Sequence, residues 1–318
     1  MFAIEELREN GFDKIVMTDG KGECRVEVVP ECGAMLHGYS VLSKNEWLNI
    51  IDSYLTKDDF DKNAEALGFK GLKLSPFACR IKNAAYHFLG REYHFQKIFQ
   101  DGSAIHGLLY RGAFKVTSKY HTENESGVKM IQKYSGDDRG YPFPYNCIVE
   151  YKLEKGNSLK ISTTVQNCTN ITIPIADGWH PYFRFNRKID NLFLSFDSSE
   201  MLEFVDLIPT GKLIPTEKFT KPRLIGNSVF DNCFYLDFAN GLPMISLADT
   251  NSGFQLNIIP DHRYRYLQVY TPPHRNSIAL ENISGAPDCF NNKMGLEMLE
   301  PGQELTFSTQ YKISSLNN

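Results

Sequence analysis

The chain has 318 residues, 42% hydrophobic and 23% charged, which is ample to bury a large core. With Lys+Arg 34 against Asp+Glu 38 the formal charge is −4, which excludes a basic field drawing in nucleic acid or an anionic membrane surface. The opening Met1-Phe2-Ala3-Ile4-Glu5-Glu6-Leu7-Arg8 is charged almost at once and has no secretory h-region, so a cytoplasmic protein is expected. In chain order, Val26-Glu27-Val28 is the first short alternating burst. Ser43-Lys44-Asn45-Glu46 then resembles a capping box, with Trp47, Leu48, Ile51, Tyr54 and Leu55 at helical spacing behind it. The same residues could form a strand followed by a charged loop over Lys57-Asp58-Asp59-Phe60-Asp61-Lys62. Val128 to Gln132 alternates. Cys147–Leu153, a Glu154-Lys155-Gly156-Asn157 turn and Leu159–Val165 read as a hairpin. Phe254–Ile258, Tyr264–Tyr270 and Leu305–Ile313 complete the pattern. Period-2 alternation broken by Gly, Pro, Asn and Asp predicts an all-β, antiparallel protein, and the absence of repeats or linkers predicts one domain over residues 1–318.

Five segments carry side chains that could do chemistry. Leu74-Ser75-Pro76-Phe77-Ala78-Cys79-Arg80-Ile81 sets Arg80 in an apolar run, where it needs a carboxylate or a polar ligand; a salt-bridged or snorkelling Arg is the alternative. Ile105-His106-Gly107 allows unusual backbone and close approach, yet a satisfied structural histidine would look the same. Ala176-Asp177-Gly178-Trp179-His180-Pro181-Tyr182-Phe183 joins aromatic faces to an imidazole whose backbone Pro181 holds extended; Trp179 and Tyr182 suit a pyranose, or a plain aromatic corner. Asp231 opens a strand-like run and reads either as a hydroxyl acceptor or as a turn former. Glu281 ends an apolar strand before Ser284-Gly285-Ala286-Pro287, either as a functional carboxylate or as an edge-strand charge. The cysteines number 7, are scattered and contain no C-x-x-C, which indicates neither a disulfide framework nor a zinc site.

Taken in order, these segments resemble the aldose 1-epimerase (galactose mutarotase) family. Arg80-Ile81, Ile105-His106-Gly107, His180-Pro181-Tyr182-Phe183, Ile208-Pro209-Thr210-Gly211 and the run from Glu281 to Leu299-Glu300-Pro301-Gly302 carry the likeness. The resemblance implies a large two-sheet β-sandwich with an open hexose groove, Glu281 as general base and His180 as general acid. It implies sugar contacts from Arg80, His106 and Asp231. Cys79 stands where the family has Asn, His106-Gly107 lacks a second Gly, and Asp177-Gly178-Trp179 replaces the usual lead into the histidine. These departures set the chain in a divergent branch.

The implied reaction, interconversion of α and β anomers through the open aldehyde, needs no metal, nucleotide or redox cofactor. It requires Glu281 ionised and His180 protonated at the start, each charge favouring the other. The expected partner is a small hexose, and the expected state a monomer or homodimer. A hexose-6-phosphate epimerase would add a cationic site, for which Lys73, Arg111, Arg184, Arg187 and Arg275 are the available donors. A non-catalytic sugar-binding module, and a glycosidase using Glu281 with Asp231, are further alternatives.

Overall fold

The predicted hairpin forms the centre of a sheet. In the computed structural model, which describes residues 1–316, Tyr145–Glu154 pairs with Ser158–Asn167 without interruption, from Tyr145 opposite Asn167 to Glu154 opposite Ser158. Alternation does the sorting: Tyr145, Cys147, Val149, Tyr151 and Leu153 are buried while the residues between them stay partly exposed. Glu304–Ser315 pairs along the far side of Ser158–Asn167 and Phe254–Pro260 follows it, within a nine-stranded antiparallel sheet.

An eight-stranded antiparallel sheet covers its inner face. Its strands run in the order Ile208–Pro215, Glu200–Val205, Asp231–Tyr235, Tyr266–Tyr270, Ile278–Ile283, Gly178–Trp179 and Lys73–Leu74, with Tyr182–Phe183 also paired to Ile278–Ile283. The two layers meet through Tyr151 against Trp179 at 5.8 Å and Phe183 against Tyr311 at 5.5 Å between ring centroids. One apolar cluster runs through both layers, as a β-sandwich requires. A five-stranded meander, Ala3–Glu9 through Glu46–Asn49, packs beside them. The Tyr151 hydroxyl ties it in by donating to the Ala34 carbonyl at 2.7 Å.

The ambiguous N-terminal stretch resolves against the capping-box reading. Ser43 pairs with Glu46, and Lys44 and Asn45 have φ of 52° and 67°, so these four residues are a tight hairpin turn and Glu46–Asn49 is a strand. The helix lies in the expected charged loop. It spans Lys57–Asn63, with Thr56 and Asp59 forming the capping box and Asp58 and Asp59 in the first turn. Among the described residues no helix is long and apolar enough to cross a membrane.

Candidate active site

Strand register builds the site. Gly178 pairs with Ile283 and Tyr182 with Ala279, so the antiparallel count carries His180 opposite Glu281. Gln268 is the partner of Glu281 on its other side, and Cys233 that of Gln268. His180, Glu281, Gln268 and Cys233 therefore form one row across the sheet. Two residues along, Tyr182, Ala279, Tyr270 and Asp231 form the next. Residues two apart share a face. The polar members of both rows line one cleft of about 280 Å³, closed at the side by Phe69, Arg80 and His106.

The same alternation corrects one expectation. Trp179, one residue out of phase with His180 and Tyr182, points to the opposite face. It is buried between the sheets, against Tyr151, with the Lys73 ammonium 4.5 Å from its ring centroid. It does not line the cleft. Trp179→Phe is expected to leave KM unchanged while lowering stability by about 1–3 kcal/mol. Denaturant titration beside steady-state kinetics checks this, and a rise in KM at unchanged stability would restore Trp179 to the site.

His180 Nε2 lies 3.4 Å from Glu281 Oε1, with the two side chains 7% and 2% exposed. Burial dominates both. It pushes the Glu281 carboxyl well above its usual 4.5, with Asp231 adding to the rise and Arg80 opposing it. Burial also pulls the His180 imidazole down to about 3. Mutual stabilisation of the two charges was expected; desolvation outranks it, so the unliganded pair holds a single proton as carboxylic acid and neutral imidazole. Among the described residues, Glu281 Oε2, His180 Nδ1 and Gln268 Oε1 have no hydrogen-bond partner. Three unpartnered buried polar atoms beside one cleft suit a ligand rich in hydroxyls.

His106 and Cys79 lock each other. Both adopt left-handed backbone, with φ of 62° and 54°. The His106 N–H donates to the Cys79 carbonyl at 2.9 Å, and the Cys79 N–H donates to His106 Nδ1 at 3.2 Å. Burial, then the nearby His180 and Arg80, keep the His106 imidazole neutral. Its Nδ1 is an acceptor, so its proton sits on Nε2 as a donor. Gly107 is required next to it, since a Cβ there would collide with the Ser75 carbonyl oxygen. The Cys79 thiol, which also lines the cleft, is pushed up by burial and stays protonated.

Arg80 is salt-bridged and also stands at the cleft. Its Nε donates to Asp101 Oδ2 at 2.9 Å, and the side chain lines the cleft. Asp231 accepts from Gln268 Nε2 at 2.8 Å, and burial raises its carboxyl, with Arg80 pulling the other way. Glu281 is no edge-strand charge: its strand has neighbours on both sides. Gln268, Tyr270 and Phe69 were not singled out in the sequence. The first two were legible as alternate members of the Tyr264–Tyr270 run; Phe69 gives no local signal, because Gly68 and Gly71 around it look like any loop. Ile208-Pro209-Thr210-Gly211 lies on the outermost strand of the sheet and does not line the cleft.

Three of the cations named as phosphate donors are committed elsewhere. Lys73 is fully buried and donates to Asp177 Oδ2 at 2.6 Å. Arg111 holds Glu65 through two nitrogens, at 2.8 and 2.5 Å. Arg275 is bound to Asp190 and to the carbonyls of Gly226 and Ser228. Arg184 and Arg187 line a separate hollow.

Residues 13–312 match the family model described as aldose 1-epimerase. The uncharacterized protein YihR of Escherichia coli K12 is 24% identical over 245 residues, 74% of this chain and 77% of its own. A galactose mutarotase-like protein from Clostridium acetobutylicum superposes with a TM-score of 0.85 at 16% identity, covering 99% of this chain and 98% of that one. Galactose 1-epimerase from Lactobacillus acidophilus superposes with a TM-score of 0.81, also at 16% identity, with 99% of both chains covered. At these identities the structural likeness is one of fold, and the fold is the galactose mutarotase-like β-sandwich.

Proposed function

The chain belongs to the aldose 1-epimerase family, and from that premise we propose that it interconverts the α and β anomers of a hexose, with Glu281 as base and His180 as acid. The observation that carries the reading is the juxtaposition of these two groups, 3.4 Å apart in a cleft with polar and aromatic walls. In the reactive complex Glu281 is the carboxylate and His180 the imidazolium, which is the same proton count as the neutral pair. Glu281 takes the proton from the C1 hydroxyl, the electron pair left on that oxygen forms the carbonyl, the C1–ring oxygen bond breaks, and His180 gives its proton to the ring oxygen. Rotation about C1–C2 exposes the other carbonyl face. Reclosure then returns both protons.

The directions of the two pKa shifts suit these roles. A carboxylate whose pKa is raised is a stronger base, and an imidazolium whose pKa is lowered is a stronger acid. Ring opening discharges both groups, so the buried cleft favours the proton transfers that the chemistry needs. Arg80, the Nε2–H of His106, Asp231 and Gln268 are the candidates for holding sugar hydroxyls, and Tyr182 and Tyr270 for packing against the ring's C–H faces. The reading takes residues 1–318 as one functional unit acting on a free small-molecule sugar.

The test is polarimetry on a panel of freshly dissolved aldoses, in which at least one should reach its equilibrium rotation faster with the protein than without it. No acceleration for any sugar sinks the proposal. The pH profile tests the pair itself. Its single-proton form persists from about pH 3, where His180 titrates, up to the elevated value of Glu281. Log kcat/KM should therefore stay level between those two limits, with no loss as pH falls through the ordinary histidine value. An inflection at an ordinary histidine value would overturn the assignment.

A further inference from the structure

A second hollow, of about 650 Å³, shares no lining residue with the cleft and is lined by Asp52, Lys70, Arg184, Arg187, Lys188 and His274 among others. Its cations are incompletely neutralised. Lys70 pairs with Asp52 at 2.9 Å and Arg187 with Asp249 at 3.1 Å. Among the described residues Lys188 Nζ donates only to neutral oxygens, the His274 carbonyl and Asn276 Oδ1, both at 2.7 Å. Among the described residues Arg184 has no carboxylate partner, and its buried Nε has no partner at all. Four cations, Lys70, Arg184, Arg187 and Lys188, face two carboxylates, Asp52 and Asp249, which leaves a local excess of two positive charges in a chain whose net charge is −4.

The hollow is also aligned with the chemistry. His180, Tyr182 and Arg184 are alternate residues of one extended run, so they project to one side, with Arg184 roughly 13 Å of chain beyond His180. Tyr182 lines the cleft and touches residues that line the hollow. It stacks on His180 with ring centroids 5.0 Å apart, while Lys70 Nζ sits 6.0 Å from the centroid of its ring. The Asp52 N–H donates to the Tyr182 carbonyl at 2.9 Å.

We propose that this hollow is an anion subsite, with Arg184 at its centre, for an acidic substituent carried by the sugar: a phosphate or carboxylate on the part of the molecule remote from C1. An unpaired guanidinium offers the planar donor fork that such oxyanions fill, and Lys188 adds a point charge. The proposal rests on the mutarotase reading and refines its substrate class.

The experiment compares kcat/KM for α-D-glucose, α-D-glucose 6-phosphate and D-glucuronate in wild type, Arg184→Gln and Lys188→Ala. Calorimetry with inorganic phosphate on the same proteins gives a readout independent of turnover. Wild type should favour at least one acidic sugar over glucose. That preference should fall at least tenfold in Arg184→Gln and severalfold in Lys188→Ala, whose exposed side chain makes misfolding a poor explanation. Equal handling of neutral and acidic sugars by wild type overturns the subsite, and does so even if free phosphate binds, since the hollow would then serve a separate ion. Turnover of no sugar at all overturns the mutarotase reading instead; phosphate binding lost in Arg184→Gln would then leave an anion site unconnected to that chemistry.

Discussion

Glu281→Gln is expected to slow anomer interconversion by about 10²–10⁴-fold, the usual contribution of a positioned base, while sugar binding persists. The amide keeps the shape of the carboxyl and cannot take the C1 hydroxyl proton. The same substitution should raise thermal stability at neutral pH. A carboxyl whose folded pKa lies above 4.5 binds its proton more tightly in the folded chain than in the unfolded one. Its stability cost is absent below that pH and grows as pH rises toward the elevated value. Removing the ionisable group removes the cost, so the melting temperature of the variant should exceed that of wild type at pH 7 and match it near pH 4. His180 works in the opposite window, costing stability only below its ordinary 6.5 as pH falls toward about 3. Polarimetry and differential scanning calorimetry on one preparation read both effects. Near-wild-type rates would remove Glu281 from the chemistry.

Lys73→Met is the most damaging single change expected outside the cleft, costing about 3–5 kcal/mol. Lys73 and Asp177 are each 0% exposed, and their 2.6 Å ion pair joins residues that lie 104 positions apart in the chain. Lys73 Nζ also donates to the Gly178 carbonyl at 2.9 Å, and Tyr264 donates its hydroxyl to Asp177 Oδ2 at 2.7 Å. Methionine keeps the length and removes the charge, leaving Asp177 buried with the Tyr264 hydroxyl alone. Burial already raises the Asp177 carboxyl against the pull of Lys73. The double substitution with Asp177→Leu should recover most of the loss, because the penalty belongs to the orphaned charge. Urea unfolding of both variants measures this. A loss below about 1 kcal/mol for Lys73→Met would show that the pair is not the strut described here.

The contrast between Lys73 and Glu281 shows where sequence reading stops. Glu281 was read as a functional carboxylate or an edge-strand charge, and Lys73 only as one available phosphate donor. Pairing across the sheet separates them: Lys73 sits opposite Trp179 and reaches inward to Asp177, whereas Glu281 sits opposite His180 on the cleft side. Trp179 was misread for the same reason. Eight adjacent residues, Ala176 to Phe183, look like one cluster, yet alternate side chains leave an extended backbone on opposite faces. The helix Lys57–Asn63 was missed because its stop and start signals compete with a stronger hydrophobic spacing just before it, one that belongs to a strand.

What the amino-acid sequence determined by itself was local: alternation that makes strands, turn residues that end them, the hairpin Tyr145–Glu154 with Ser158–Asn167, and the segments around Arg80, His106, His180 and Glu281 that identify the family. These depend on periodicity and backbone preference, which act over a few residues. Only the tertiary structure decided which charges face the cleft, which are struts, that burial pushes the Glu281 carboxyl up and the His180 imidazole down, and that Arg184 stands beside Tyr182 with no carboxylate partner among the described residues. Each of those depends on desolvation and on register between strands distant in the chain, and neither quantity exists until the sheets have paired.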